Sequence, residues 1–409
     1  STRTTTEVTM RKKVLILGAN FGGLTAALAL KHELHGDVDI TVVSDRDYFL
    51  FNPSLIWLPF GKRVAKDITF KVGPTFETGG VNFEESAAAK LDPDAKTVTL
   101  ANGKMLSYDY LIIATGTRNR DEMIEGFSEN SNTITTLDSA EKTGVAWKKF
   151  LEKPGDIVIG ATQGASCFGA AYEFLFNTSY QLKKAGLKKD VKLTYLTSEP
   201  FLGHFGIGGL PHGDSLLGMF LKKENIGSHL NKSIATIDEG RIITTDGDIL
   251  ENSFSMIIPP FSGQNFLKQV EGLADANGFV KVKDTYQSER WDDIYAVGLA
   301  AAVTAPWQTP TPVGVPKTGF PTEQMAHVAA LNVAQQIQGS APSHHKDFGD
   351  IKAVCVMDAG NNGVLILADR MLPPRKHGVL IPGPQNHLFK LGFEKYFLWK
   401  MRNGRVNLP

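Results

Sequence analysis

The chain has 409 residues, enough for two or three domains with substantial cores. Its 43 basic and 43 acidic side chains cancel, which removes the basic excess that nucleic-acid binding needs, and 2 cysteines cannot build a disulfide framework. No apolar run reaches the length of a membrane-spanning helix, and the start is a polar, Thr-rich arm without a secretory apolar segment.

Lys12 to Leu17 reads as a short buried strand that breaks into Gly18-Ala19-Asn20-Phe21-Gly22-Gly23. Leu24 to Leu30 then reads as a helix and Asp39 to Val43 as the next strand. This is a βαβ unit with a Rossmann-type turn, whose small residues let a pyrophosphate approach the helix N-terminus. Asn20 stands where the fingerprint has its second glycine, and Ser44, then Asp45, where it has an acid. A ribose would be held by the Ser44 hydroxyl or by Asp45. Asn102-Gly103 marks a hairpin, followed by an apolar strand ending in Ala114-Thr115-Gly116.

A second unit begins at Asp156-Ile157-Val158-Ile159-Gly160 and continues through Thr162, Gly164 and Ala165 to Cys167. Thr162 and Ala165 replace the second and third glycines of a nicotinamide-binding turn, so this cradle reads as dismantled. A helix from about Ala165 to Lys184 would put Cys167 in its first turn, where the helix dipole favours a thiolate. Trp291 to Gly298 is a further strand ending in glycine. Near the C-terminus, Phe389, Phe393, Tyr396 and Phe397 share one helical face, broadened by Leu388, Leu391, Leu398 and Trp399. With Lys390, Lys395, Lys400, Arg402 and Arg405 at its edges, this pattern suits a helix lying in a membrane interface, its lysines reaching for headgroups.

Ala114-Thr115-Gly116 and Tyr295-Ala296-Val297-Gly298 resemble the signatures of disulfide-reductase-type flavoproteins, which implies FAD; Leu299 stands where those carry an aspartate. From about Lys13 to Arg402 the chain resembles the sulfide:quinone oxidoreductases, with the flavoprotein subunit of flavocytochrome c sulfide dehydrogenase as near kin. The likeness rests on the motifs at 164–173, 198–206, 311–320, 353–355 and 392–397. It implies an α/β fold with two Rossmann-like dinucleotide-binding domains and a C-terminal module carrying the amphipathic membrane-interface helix. The expected boundaries are 10–120 with 254–330 for FAD, 121–253 for the second Rossmann-like domain with its degenerate nicotinamide site, and 331–409 for quinone and membrane association.

The same resemblance implies that Cys167 and Cys355 bridge as a disulfide or polysulfide, attacked by sulfide, with two electrons passing to FAD and on to a membrane quinone. Sulfur leaves as sulfane or polysulfide. Glu173 is the implied general base, although i and i+6 do not share a helical face with Cys167, and His204 stands near the sulfide channel. FAD is implied to contact Gly18, Asn20, Phe21, Gly22, Gly23, Ser44, Asp45, Ala114, Thr115, Gly116, Gly298 and Lys317. Gly319 and Phe320 are expected near the flavin, and Phe393 and Phe397 at the mouth of the quinone route.

Three family features are replaced: a third cysteine by Thr135, a nearby histidine by Ser139, and a flavin-linking cysteine by the absence of any near Phe51. The expected protein is peripheral on a membrane and acts on sulfide and quinone, and a homo-oligomer is compatible with the pattern. Three other functions fit parts of the sequence: a sulfide dehydrogenase subunit donating to a cytochrome, a type II NADH:quinone reductase, and a non-catalytic FAD-fold sensor.

Overall fold

The structure, a computed structural model, describes residues 10–317 and 319–409. Strand β1 (Lys13–Leu17) turns sharply into helix α1 (Phe21–Glu33) and returns as β2 (Asp39–Ser44). Strands β3 (Asn82–Glu85) and β4 (Tyr110–Ile113) follow. The chain then builds β5 (Ile157–Ala161), α2 (Phe168–Lys184), β6 (Leu193–Thr197), β7 (Ile226–His229) and β8 (Phe254–Ile258). It comes back as β9 (Ile294–Ala296) and α3 (Phe320–Ile337). Three strands, β10 (Ala353–Asp358), β11 (Gly363–Ala368) and β12 (Gly378–Pro382), precede the last helix, α4 (Gln385–Arg402).

Two parallel sheets organise these elements. The first has the order β9-β4-β1-β2-β3 and the second β7-β6-β5-β8, both winding outward from a central first strand. Their strands are apolar runs because both faces of a parallel sheet are covered. Every residue of α1 from Phe21 to Leu30 is buried, since the helix lies between its sheet and α3. β10, β11 and β12 form an antiparallel sheet, on which both α2 and α4 pack.

The second sheet takes in Phe254–Ile258, pairing Ile157 with Phe254 and Ala161 with Ile258. The expected return to the first unit at 254 is therefore corrected: the crossing comes after this strand, because parallel pairing with β5 claims it.

Candidate active site

The three glycine-ended strands meet at one edge. Leu17 pairs with Ile113, and Ile113 with Ala296, so Gly18, Ala114 and Gly298 emerge side by side at the carboxyl ends of β1, β4 and β9. A ligand crevice belongs at this edge, where the strand order reverses between β1 and β4. Gly18 holds φ +107°, and a Cβ there would meet the Ala114 carbonyl oxygen at 2.1 Å; a Cβ on Gly23 would meet that of Gly18 at 1.7 Å. Asn20 is tolerated in place of glycine because its side chain turns away. Its Oδ1 accepts the Leu50 N–H at 2.9 Å, and its Nδ2 donates to the Leu50 carbonyl at 3.0 Å.

The start of α1 has neither a side-chain cap nor an acidic residue in its first turn, leaving amide donors for a phosphate. Thr115 Oγ1 is buried without a hydrogen-bond partner beside Gly116. These features fit a dinucleotide lying across Gly18–Gly23 and Ala114–Gly116. Ser44 ends β2, and its Oγ accepts the Arg46 N–H at 3.1 Å, while Asp45 is exposed. Lys317 is buried, its Nζ bonded to the Ala301 carbonyl at 2.5 Å and 4.9 Å from the Phe279 ring, and burial pushes its pKa down to about 8.

Cys167 does not lie inside the first turn of α2. The helix starts at Phe168 and Cys167 is its N-cap residue, so the expected helix start at Ala165 is corrected. Burial pushes the Cys167 thiol up to about 11, against a smaller lowering by a hydrogen bond to Ser166, a direction opposite to the one expected from the helix end. Cys355, on β10, presents accessible surface; the protein packed around it and then the charge of Glu173 push its thiol up to about 11. The two cysteines belong to elements in contact, with a Cβ on Gly169 falling 3.9 Å from Met357 Sδ.

Glu173 is buried and turned toward β10, not toward Cys167. Its Oε2 accepts the Lys390 Nζ at 2.9 Å and the Asp358 N–H at 2.9 Å. Burial raises its carboxyl above the ordinary carboxylate range, with Lys390 opposing. Asp358 is fully buried, accepting Trp57 Nε1 at 3.1 Å and pairing with His387 Nδ1 at 2.5 Å. Glu394 binds Arg63 Nε at 3.0 Å and Ser54 Oγ at 2.5 Å, and Lys400 meets Glu323 at 3.1 Å.

Helix α4 thus turns Lys390, Glu394 and Lys400 inward and several large apolar side chains outward: Leu388 is 67% exposed, Phe389 48% and Trp399 50%, while Lys395 stays at the surface. Lys390 and Lys400, expected to reach for headgroups, are buried in ion pairs instead. Phe393 stands at the surface and Phe397 points inward, 6.2 Å from Phe393 and 6.1 Å from both Phe21 and Phe51. Gly319 (φ +68°) caps α3, and Phe320, half-buried, opens it.

A family model described as pyridine nucleotide-disulphide oxidoreductase matches residues 12–329. A sulfide-quinone reductase of Aquifex aeolicus is 37% identical over 406 residues, 97% of this chain and 93% of that protein. The chain belongs to the sulfide-quinone reductase family. The X-ray structure of the Aquifex aeolicus sulfide:quinone oxidoreductase superposes with a TM-score of 0.92 at 37% identity, covering 97% of this chain and 93% of that one. A mitochondrial sulfide:quinone oxidoreductase of Dictyostelium discoideum is 25% identical over 327 residues, 74% of this chain and 70% of that protein. The NDH2 of Plasmodium falciparum shares the fold, with a TM-score of 0.72 at 16% identity and 97% of each chain covered.

As in this family, FAD is the cofactor, and the α/β fold of the disulfide-reductase type is the one observed. His204, in the loop after β6, is buried, its Nδ1 accepting the Gly206 N–H at 3.1 Å and its ring 4.9 Å from that of Trp307. Burial and then Arg375 push its pKa down to about 4. The loop packs toward Cys167 through Gly314: a Cβ on Gly206 would strike the Gly314 carbonyl, and Gly314 donates to Ala165 at 2.8 Å. Thr135 accepts Asn119 Nδ2 at 2.6 Å, away from both thiols in bonding. Asp358, His387 and the inward role of Lys390 escape a sequence reading; the one signal was an acid three residues after Cys355 on the same strand.

Proposed function

We propose that the protein oxidises sulfide to sulfane sulfur or polysulfide and delivers the electrons to a membrane quinone, with Cys167 and Cys355 as the sulfur-carrying pair. The observation that carries this is the Glu173–Lys390 pair, held on α2 and α4 against the strand that bears Cys355. Sulfide attack on a bridge between the cysteines releases one of them as a thiolate. Buried thiols of high pKa are poor leaving groups unless a neighbour stabilises the anion. Lys390 supplies that stabilisation to Cys355, and protonation of Glu173 removes the charge that opposes it. Cys355 is therefore the leaving thiolate, and Cys167 keeps the incoming sulfur. Bound FAD supplies the two-electron link between this thiol chemistry and the quinone. Gly18 to Gly23 and Ala114 to Gly116 hold it, with Lys317 and Gly298 alongside.

Phe393 and Phe397 form the quinone route, from the exposed face of α4 to Phe21 at the dinucleotide turn. The outward apolar face supports peripheral binding to a membrane, and no helix among the described residues is long and apolar enough to cross one. The NADH-oxidising alternative is disfavoured by a strap over the second turn. Gly164 donates to Pro312 at 3.1 Å and Gly314 to Ala165 at 2.8 Å, where a pyrophosphate would lie. Glu199, placed after β6 where a ribose-binding acid would sit, spends its oxygens on Tyr172, Tyr195, Thr197 and the Phe205 N–H.

Anaerobic titration of the flavin absorbance tests the reading. Sulfide is expected to bleach it and decylubiquinone to restore it; bleaching by NADH with no response to sulfide would overturn the proposal.

A further inference from the structure

Ionisable side chains from α2, β10 and α4 converge at the end of β10. His387 and Lys390 stand three residues apart on α4 and so share a face of that helix. Lys390 Nζ donates to Glu173 Oε2 at 2.9 Å, and the same oxygen accepts the Asp358 N–H at 2.9 Å. Asp358 turns its Oδ1 to His387 Nδ1 at 2.5 Å, while its Oδ2 accepts Trp57 Nε1 at 3.1 Å and the Gly360 N–H at 3.0 Å. Asn177 ties the backbone of the two acids together, its Nδ2 donating to the Glu173 carbonyl at 2.8 Å and to that of Asp358 at 3.3 Å.

Glu173, Asp358 and Lys390 are buried, whereas the His387 side chain keeps 19% of its surface in solvent. Two carboxylates face one ammonium, so the cluster holds a surplus negative charge unless Glu173 or His387 carries a proton. An uncompensated charge in a buried site is costly. The two groups therefore exchange one proton between two arrangements: Glu173 protonated with His387 neutral, or Glu173 ionised with His387 charged. Burial acts toward the first, raising the Glu173 carboxyl, and Lys390 acts toward the second. Two further cations lie over the Trp57 indole. Arg63, 4.7 Å from the ring, is matched by Glu394 at 3.0 Å, and Lys62 Nζ, 4.9 Å from it, makes no ion pair with Asp358 or Glu173.

We propose that His387 is the proton-exchange group of the sulfur site: it gives a proton to water as Glu173 takes the one that sulfide releases, so the buried cluster keeps its charge. This rests on the reading of Cys167 and Cys355 as a bridge that sulfide attacks. In that step one H–S bond of hydrogen sulfide breaks and its proton goes to the Glu173 carboxylate. An electron pair of the sulfur forms the new bond to Cys167, and Cys355 leaves with the pair of the broken S–S bond. His387 Nδ1 stays with Asp358, and Nε2, which makes no hydrogen bond among the described residues, is the nitrogen that releases its proton. The reverse exchange then readies Glu173 to accept again. Because His387 acts on the sulfur only through Asp358 and Glu173, it is a positioning residue.

The test has two arms, both on the full FAD-loaded protein. In the first, the ring signals of isotope-labelled histidine are titrated by NMR, His387 being identified by the signal lost in His387→Gln. Glu173→Gln removes a negative charge that favours His387 in its charged form, and should lower the His387 midpoint by about one pH unit. A midpoint that does not move overturns the shared proton. In the second, reduction of the flavin by sulfide is followed by anaerobic stopped flow. His387→Gln is expected to slow it about tenfold. His387→Ala should be slowed likewise and recover with added imidazole, but not with pyrazole, a ring of the same shape that does not hold a proton near neutral pH. Equal recovery with both rings, or a full rate in His387→Gln, would reduce His387 to a packing role and overturn the proposal. A wild-type flavin unmoved by sulfide would overturn the reading of the cysteine bridge beneath it, and the NMR arm would still decide whether Glu173 and His387 share a proton.

Discussion

Burial raises the Cys355 thiol most, and two charges then act on it with opposite signs. Glu173 raises its thiol pKa and Lys390 lowers it. Glu173→Gln should therefore lower the pKa and Lys390→Gln raise it. In a Cys167→Ser background, iodoacetamide alkylation at fixed pH below the pKa should speed up roughly three- to tenfold in the first variant and slow in the second. Equal rates would separate Glu173 from Cys355. Either Cys167→Ser or Cys355→Ser should abolish sulfide-dependent turnover with FAD still bound, read from the flavin spectrum and an oxygen-free quinone assay; full activity in either would exclude the bridge. Legibility at this scale was uneven. Gly18 and Gly23 could be read directly, because a turn that closes on its own backbone excludes a Cβ. The partner of Glu173 could not, because it stands on another helix and only the fold brings Lys390 to it.

Helix α4 carries an apolar stripe and a set of charges, and only the fold orients them. The spacing of Phe389 and Phe393 marks an apolar stripe, but a helical wheel does not say which side faces the protein. Three buried anchors decide it: Lys390 with Glu173, Glu394 with Arg63, and Lys400 with Glu323. Such pairs fix orientation more than they stabilise, and breaking one strands a buried charge. Lys400→Met should cost about 3–5 kcal/mol in urea unfolding, whereas Lys400→Met with Glu323→Leu should return to near the wild-type midpoint. A single variant as stable as the double would show that Glu323 finds another partner. The same anchoring explains Phe397, which the stripe groups with Phe393 but which packs inward against Phe21 and Phe51.

For the molecule as a whole, the proposed membrane contact through the outward face of α4 has a direct test. Leu388→Ser with Phe389→Ser should weaken binding to neutral vesicles at least tenfold, since burying each side chain is worth about 1.5–3 kcal/mol, while turnover with a short-chain quinone in detergent holds. Unchanged vesicle binding would place the membrane surface elsewhere.

By itself the sequence determined the two parallel-sheet units, the dinucleotide turn and the pairing of two cysteines with a flavoprotein frame. Strand runs, glycine turns and signature order are local, and they survive without knowledge of neighbours. The fold alone decided that Phe254–Ile258 joins the second sheet, that Cys167 is buried at the N-cap of α2, and that Lys390 and Lys400 of α4 turn inward. Each depends on what another part of the chain places alongside, and desolvation and ion pairing act across space, not along sequence.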